Sequence, residues 1–194
     1  GGGLLGCWEL MPPMPEPTCQ SAAAFHQSHL WVTGGCCHMP TPKVHSLDLD
    51  TMVWREACPL PSPRCEHALV EDRGFLYAIG GWDGGDCLSS VVRLDTEAEQ
   101  RGWRPAPSMC TKRRGLSAVC LKGLIYAIGG CDASACLSSV EVYRPETRNW
   151  SLIAVLNHPR MAAAAAVVGS SILITGGWDG RSKGRSCSAE VWTY

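Results

Sequence analysis

The sequence lacks both a marked charge imbalance and a long apolar run. Its 17 basic and 18 acidic residues give a formal net charge of -1 and are scattered along the chain. No basic block therefore offers the electrostatic footprint that nucleic acid or an anionic membrane requires. No run approaches the roughly 18 apolar residues of a spanning helix, and residues 1–10 do not resemble a secretory signal. We expect a cytoplasmic protein that binds neither nucleic acid nor membrane.

Motifs of catalysis and of cofactor binding are also scarce. The chain has no Gly-x-Ser-x-Gly sequence, no phosphate-cradling glycine loop before a helix and no evident carboxylate pair. Residues 36–38 and the pair Cys131 and Cys136 are local clusters of metal-ligating types, but no Cys-x-x-Cys pair occurs at zinc spacing. We expect no catalysis, no cofactor and no metal.

The 12 cysteines do not form the framework of a small disulfide-rich scaffold. Most fall in apolar, strand-like stretches such as residues 117–120. Free cysteine packs like a small hydrophobic residue. We therefore predict that most of these cysteines are reduced core residues.

What the sequence does contain is an internal repeat, which decides architecture before any local pattern does. Double glycines recur at intervals of 46, 49 and 47 residues, and each follows a short apolar run. They are Gly34-Gly35, Gly80-Gly81, Gly129-Gly130 and Gly176-Gly177. A tryptophan series keeps the same three intervals: Trp8, Trp54, Trp103 and Trp150. Two independent markers therefore share one period.

Each repeat also contains segments that alternate between apolar and polar residues, as half-buried strands do. These segments are residues 89–95, 138–144 and 188–192, with a weaker counterpart at 43–48. A further strand, made of small residues, lies upstream of the apolar run that ends in each double glycine. The alanine run 162–166 favours a helix by propensity, yet it occupies the position of these strands, so we predict a strand there. Each unit thus has four short strands.

This pattern resembles the Kelch repeat, in which an apolar strand ends in Gly-Gly and a spaced Tyr and Trp follow. Tyr143 and Trp150 keep that spacing best, whereas Leu94 and Trp192 stand near the tyrosine position and depart from it. The resemblance implies an all-β Kelch β-propeller with four recognisable four-stranded blades in a single domain, residues 1–194. The repeats are approximately 12–57, 58–106, 107–154 and 155–194.

The blade count bears on how the propeller closes. Kelch propellers usually have roughly five to seven blades, which leaves open that the chain is an incomplete part of such a propeller. The last repeat stops before its Trp-bearing strand, whereas residues 6–11, around Trp8, read as such a strand without a preceding blade. We predict that this N-terminal strand completes the last blade.

In this family, the loops after the double glycine and before the first strand of each blade carry the contacts. The candidate protein-binding residues are Trp82, Asp83, Trp178, Asp179 and Arg181 in the first set of loops, and Arg64, Arg113, Arg114 and Arg160 in the second. As a set, the arginines are candidates for binding carboxylates in a bidentate manner. The alternative for Asp83 and Asp179 is that they organise turns, and for the tryptophans that they pack on the next blade. The alternative for the arginines is that they satisfy backbone carbonyls between blades.

The function that the resemblance implies is protein binding. BTB–Kelch adaptors hold a protein substrate on the propeller while a BTB domain, absent from this chain, engages a cullin-type ubiquitin ligase. The arginines favour a substrate with an acidic motif. An actin-associated scaffold shares the fold and remains an alternative, and a Kelch-type propeller enzyme is a less supported one.

Overall fold

A computed structural model of the protein describes residues 8–181 and 188–193, which form four antiparallel sheets. The first contains β1 (Ala22–His26), β2 (His29–Thr33), β3 (Val44–Asp48) and β4 (Val53–Glu56). The second contains β5 (Ala68–Asp72), β6 (Phe75–Ile79), β7 (Val91–Asp95) and β8 (Arg104–Ala106), with a 3-10 helix at Thr96–Arg101. The third contains β9 (Ser117–Leu121), β10 (Leu124–Ile128), β11 (Ser139–Arg144) and β12 (Asn149–Val155). The fourth contains β13 (Ala164–Val168), β14 (Ser171–Thr175) and β15 (Ala189–Thr193).

The four sheets are successive blades of a β-propeller. Strands pair in chain order within each sheet, and the first strands of neighbouring sheets contact one another, β1 with β5, β5 with β9 and β9 with β13. The predicted all-β propeller with four blades is therefore confirmed. The strand predicted in the alanine run is β13. In the described residues, blade 4 has three strands where four were predicted. No helix in the described ranges is long and apolar enough to cross a membrane.

The N-terminal segment does not form the predicted strand. Residues 8–11 have no strand structure, and the side chains of Trp8 and Leu10 are fully exposed. Prolines follow at positions 12, 13, 15 and 17, and each lacks the N–H group that a sheet ladder needs. The segment therefore does not extend β15 in this structure. Residues 6 and 7 of the predicted strand lie outside the described residues.

The core lies between the blades rather than inside any one of them. We call the contact between two successive blades a seam. Trp31, Leu76 and Trp103 belong to the buried cluster between blades 1 and 2. Further clusters fill the seams between blades 2 and 3 and between blades 3 and 4. Because strand side chains alternate, each sheet has a leading face toward the next blade and a trailing face toward the preceding one.

The tryptophan series fastens each blade to the chain segment that precedes it. The indole Nε1 groups of Trp54, Trp103 and Trp150 each donate a hydrogen bond of 2.9 Å to a backbone carbonyl. The acceptors are Pro12, Cys58 and Pro107, each of which begins the repeat that contains its tryptophan. An indole that is removed from water needs a partner for its N–H. Each repeat supplies a backbone carbonyl at the equivalent position.

Candidate functional site

The double glycines lie where neighbouring blades touch at the loop-bearing end of the propeller, which we call the loop face. The first glycine of each pair has a positive φ, for example +57° at Gly34. A Cβ added at Gly34 would lie 2.2 Å from the backbone oxygen of Arg64 in the next blade. The N–H of Gly35 donates to that same oxygen at 2.9 Å. Only glycine permits both the conformation and this close approach.

Three of the four predicted arginines are buried. Arg64, Arg113 and Arg160 are 1%, 0% and 1% exposed. Arg113 Nη1 donates to the carbonyl oxygens of Gly129 and Ser139 at 2.7 and 2.8 Å. Arg64 and Arg160 make the equivalent bonds in their own blades. The prediction that these three residues form a carboxylate-binding surface is therefore wrong, because the turn leaves carbonyls that the guanidinium must satisfy.

Two of the buried arginines already hold a carboxylate of their own blade. Arg113 Nη2 lies 2.9 Å from Glu141 Oε1, and both side chains are fully buried. Arg160 pairs with Glu190 at 2.9 Å. Burial acts to raise the pKa of Glu141, but hydrogen bonds from Arg113 and the Cys110 amide outweigh it and lower the pKa. The bidentate chemistry expected for a partner is thus used internally.

Arg64 has no such acid, because Val92 occupies the position of Glu141 in its blade. Its Nε has no hydrogen-bond partner in the described part of the chain. Burial lowers the pKa of Arg64 to about 10, although Asp83 opposes this effect. The guanidinium therefore stays charged at neutral pH.

Arg114 is the predicted arginine that reaches the loop face. Its side chain is 37% exposed, and its Nη1 lies 3.7 Å from Glu66 Oε1. It lines a surface pocket between blades 2 and 3 together with Trp82, Asp86 and Cys87. Lys112 on the same rim lies 3.5 Å from Asp86. An accessible guanidinium beside an aromatic ring is a typical anchor for a protein partner.

A further set of residues, which the sequence analysis missed, lies along the seams. Each stands 14 residues before a double glycine and has a φ between +52° and +59°. They are Gln20, Glu66, Gly115 and Ala162. The amides of the last three donate to the carbonyl of the preceding member at 2.9, 2.8 and 2.7 Å. Glu66 Oε1 accepts a bond of 3.2 Å from Gln20 Nε2, so this carboxylate joins blade 1 to the Arg114 pocket.

The aspartates after the double glycines organise their turns. Asp83 Oδ1 accepts hydrogen bonds from the amides of Gly85 and Asp86 at 2.9 and 2.8 Å. Asp179 Oδ1 accepts from the Arg181 amide at 2.9 Å. The amide of Asp86 is the largest of the effects that lower the pKa of Asp83. The turn-forming alternative therefore holds, and a docking role for Asp83 and Asp179 stays a prediction.

The two tryptophans of these loops differ in exposure. Trp178 is exposed, and its Nε1 donates to the carbonyl of Arg181 at 2.9 Å. Trp82 is half-buried at the wall of the Arg114 pocket. Arg181 is exposed. These three residues are accessible, so their predicted contact with a partner remains a prediction that the geometry permits.

The cysteines are less buried than predicted. All ten described cysteines are free, and two of them, Cys65 and Cys87, are buried. Burial raises the pKa of Cys65 and of Cys136 to about 11, so both remain thiols at neutral pH. The prediction of a core location is right for Cys65 and Cys87 but wrong for the exposed Cys19, Cys37 and Cys110. No group of three or more metal-ligating side chains is positioned for a metal ion among the described residues.

The fold is a propeller of repeated blades. The double glycines lie at the seams between blades, and a buried arginine bonds to carbonyls within each of blades 2, 3 and 4. Residues 7–177 match the family model described as the KLHDC2/KLHL20/DRC7 Kelch-repeats domain. The chain therefore belongs to the Kelch-repeat family, whose domains usually serve as non-catalytic binding modules.

Individual relatives are similar at about one residue in three. Kelch-like protein 41b of Danio rerio is 35% identical over 175 residues, which is 88% of this chain and 29% of the relative. Kelch-like protein 36 of Bos taurus is 31% identical over 138 residues, 69% of this chain and 22% of the relative. Alpha-scruin of Limulus polyphemus is 31% identical over 121 residues, 58% of this chain and 13% of the relative. The matched part is thus less than a third of each relative.

Proposed function

We propose that this Kelch propeller binds a protein substrate with an acidic segment on its loop face, as the recognition module of a cytoplasmic cullin-RING ubiquitin ligase adaptor. The observation that carries the proposal is the Arg114 pocket. Of the four recurring arginines, Arg114 is the one whose guanidinium is accessible. The guanidiniums of the other three are buried and bond to carbonyls of their own blades.

The pocket has the features of a protein-binding anchor site. Its Glu66 contact is 3.7 Å long and leaves the remaining guanidinium donors of Arg114 for a carboxylate of the substrate. Trp82 offers an aromatic surface beside it. Arginine and tryptophan are the residue types that most often dominate binding energy at interfaces. The Lys112 and Asp86 pair balances charge at the rim.

The ligase part of the proposal comes from the resemblance to BTB–Kelch adaptors. In those proteins, the BTB domain contacts the cullin and the propeller contacts the substrate. The present chain corresponds to propeller repeats, and the curated relatives are several times longer than the segment that they share with it. The role that we propose for this chain is therefore to bind the substrate.

An Arg114→Ala variant tests the pocket. Removing the anchor is expected to weaken substrate binding by about 1–3 kcal/mol, or roughly fivefold to 150-fold. Affinity purification with the wild-type chain, followed by quantitative mass spectrometry, measures the recovery of proteins with acidic segments. The matched control is Arg104→Ala, which removes an exposed arginine of the outer strand β8.

The control separates charge loss from loss of the site. Substrates should be retained by Arg104→Ala and lost by Arg114→Ala. Equal recovery of every partner by the two variants would remove the pocket from the proposal. Co-sedimentation with filamentous actin tests the scaffold alternative, and strong sedimentation that is insensitive to Arg114→Ala would favour the scaffold over the adaptor.

A further inference from the structure

The leading face of blade 4 exposes apolar side chains that are buried in the other blades. The exposed residues are Val168 (60%), Leu173 (39%) and Val191 (65%). Their counterparts by register in blade 3 are Leu121 (6%), Tyr126 (1%) and Val142 (1%). Blade 3 buries these positions against blade 4. The same face of blade 4 is therefore shaped for a neighbouring blade.

The trailing face of blade 1 is open in part, because Val32 and Leu47 on this face are buried whereas other apolar residues on it are not. Ala23 and Phe25 are exposed and Leu30 is half-buried. In blade 2, the positions of Ala23 and Leu30 are Leu69 and Leu76, which are buried against blade 1. The exposed residues of both open faces named here are uncharged. These named positions can thus be desolvated without burying an unpaired charge.

The two open faces also carry matching backbone groups. At each seam, the second glycine donates its N–H to the next blade, as Gly130 does to Arg160 at 2.7 Å. In return, the next blade donates an amide to the preceding one, as Ala162 does to Gly115 at 2.7 Å. On blade 4, the Gly177 N–H and the Ala162 carbonyl are the equivalent groups, and neither finds such a partner in the described part of the chain.

Blade 1 offers the missing halves of these bonds. By register with Arg64 and Glu66, the groups are the Thr18 carbonyl and the Gln20 N–H. Gly177 would donate to Thr18, and Gln20 would donate to Ala162. A donor and an acceptor on one face thus meet an acceptor and a donor on the other.

We infer that the leading face of blade 4 binds the trailing face of blade 1 of a second copy of this chain. The contact is heterologous, because two different surfaces meet. It repeats the seam that already joins blades 1 to 2, 2 to 3 and 3 to 4. Two copies that closed on each other would form an eight-bladed ring, which lies within the range of roughly four to eight blades known for propellers.

The same contact gives the Trp8 segment a place. Trp8 precedes Trp54 by 46 residues, so docking blade 1 beside blade 4 brings the second copy's segment 8–11 to the β15 edge. An apolar groove there is lined by residues that include Tyr126, Leu156 and Trp192. The Ala154 carbonyl stands six residues before Arg160, as the acceptors of the other tryptophans stand before their arginine positions. The strand predicted from Trp8 would then form between copies.

Sedimentation velocity over a concentration series tests the contact on the 194-residue chain. We expect the wild-type chain to associate as its concentration rises. Leu173→Lys places a charge on the leading face and Phe25→Lys places one on the trailing face. Each is expected to weaken self-association at least about tenfold, because the seam would bury an unpaired ammonium group. Val53→Lys, at an exposed valine of β4 outside both faces, is the matched control and should associate like the wild-type chain.

Mixing the two face variants distinguishes a head-to-tail seam from other modes of association. Phe25→Lys retains an intact leading face and Leu173→Lys retains an intact trailing face, so an equimolar mixture should recover a one-to-one complex. A mixture that stays monomeric, or a wild-type chain that stays monomeric throughout, overturns the inference. So does self-association that survives in one variant alone, since that indicates contact between two like faces. Recovery in the mixture also shows that both variants are folded.

Discussion

At the scale of single residues, buried polar groups explain why the repeat conserves its pattern from blade to blade within this chain. Arg113 and Arg160 satisfy turn carbonyls and pair with an acid of their own blade. A buried charge is costly, and hydrogen bonds or an opposite charge offset that cost. Arg64 also bonds to turn carbonyls but has no acid beside it, and burial lowers its pKa. The arginines are therefore structural elements of the blade turns.

His67 is the residue whose burial has the clearest consequence for pH. His67 is packed against Gly34 and Gly81: an added Cβ would lie 2.9 Å from the ring atom Cε1 at Gly34 and 2.8 Å from the His67 Cβ at Gly81. Nε2 shares a 2.8 Å hydrogen bond with Thr33 Oγ1, and Nδ1 has no partner among the described residues. Burial, with a smaller effect from Arg64, lowers the pKa of His67 to about 3.

The free energy of unfolding should therefore decrease as the pH falls below the pKa of histidine in the unfolded chain. The unfolded chain binds the proton near pH 6.5, whereas the folded chain resists it until about 3. Between about pH 6.5 and pH 5, the free energy of unfolding is expected to decrease by about 1 kcal/mol per pH unit from this group. Urea unfolding at several pH values measures the slope.

His67→Gln is the matched variant, because an amide keeps a polar contact with Thr33 but does not titrate in this range. Its stability should be lower at neutral pH and nearly flat between about pH 6.5 and pH 5. The lowered pKa values of Glu141 and Glu190 affect stability chiefly at lower pH, near and below the ordinary glutamate pKa of 4.5. An unchanged slope in His67→Gln would assign the pH dependence to another group.

At the scale of strands and loops, the tryptophans determine how the outer part of a blade is held. Trp103 is buried in the seam between blades 1 and 2, and its Nε1 bonds to the Cys58 carbonyl. Trp54 makes the same bond to Pro12 but is half-buried. The difference follows from the neighbour, because blade 1 has only the N-terminal segment on its trailing side. Trp54 is therefore expected to contribute less to the free energy of unfolding than Trp103.

Trp103→Ala should destabilise the domain by about 3–5 kcal/mol, because it leaves a large cavity and an unpaired carbonyl in the seam. Trp103→Phe should lose less, since most of the packing survives and one hydrogen bond of about 1 kcal/mol is removed. Chemical denaturation monitored by circular dichroism gives both values. Trp178→Ala is the control at an exposed tryptophan and should change stability little. A small effect of Trp103→Ala would mean that the outer strand contributes little to folding.

The sequence predicts the strands well and the orientation of loop side chains poorly. The period placed a strand in the alanine run against its helical propensity, and β13 is that strand. Spacing also identified Arg64, Arg113 and Arg160 as equivalent, but it could not show that the guanidinium turns inward. Gln20, Glu66 and Ala162 escaped notice because what they share is a positive φ and not a residue type. Gly115 was the only visible signal at that position.

At the scale of the whole molecule, the propeller is a row of sheets in which each sheet touches only its neighbours. Stability in such arrays is a sum of the stability of each unit and of each interface. Blades 2 and 3 are covered on both faces, whereas blades 1 and 4 each have one open face. Blade 4 also has an exposed inner strand, β13. The four repeats are therefore alike in sequence but unequal in burial.

Amide hydrogen exchange should reveal this inequality in the monomer. The amides of β14 are expected to exchange at least about tenfold faster than those of β10, because opening blade 4 breaks one seam and opening blade 3 breaks two. Mass spectrometry of Phe25→Lys, whose substitution lies in β1, measures the exchange of β10 and β14 at low concentration, where self-association is not expected. Wild-type chain at high concentration should then show slower exchange in β14 if a second copy covers the leading face. Uniform protection of β10 and β14 in the monomer would contradict the additive picture and indicate that all four blades unfold in a single cooperative step.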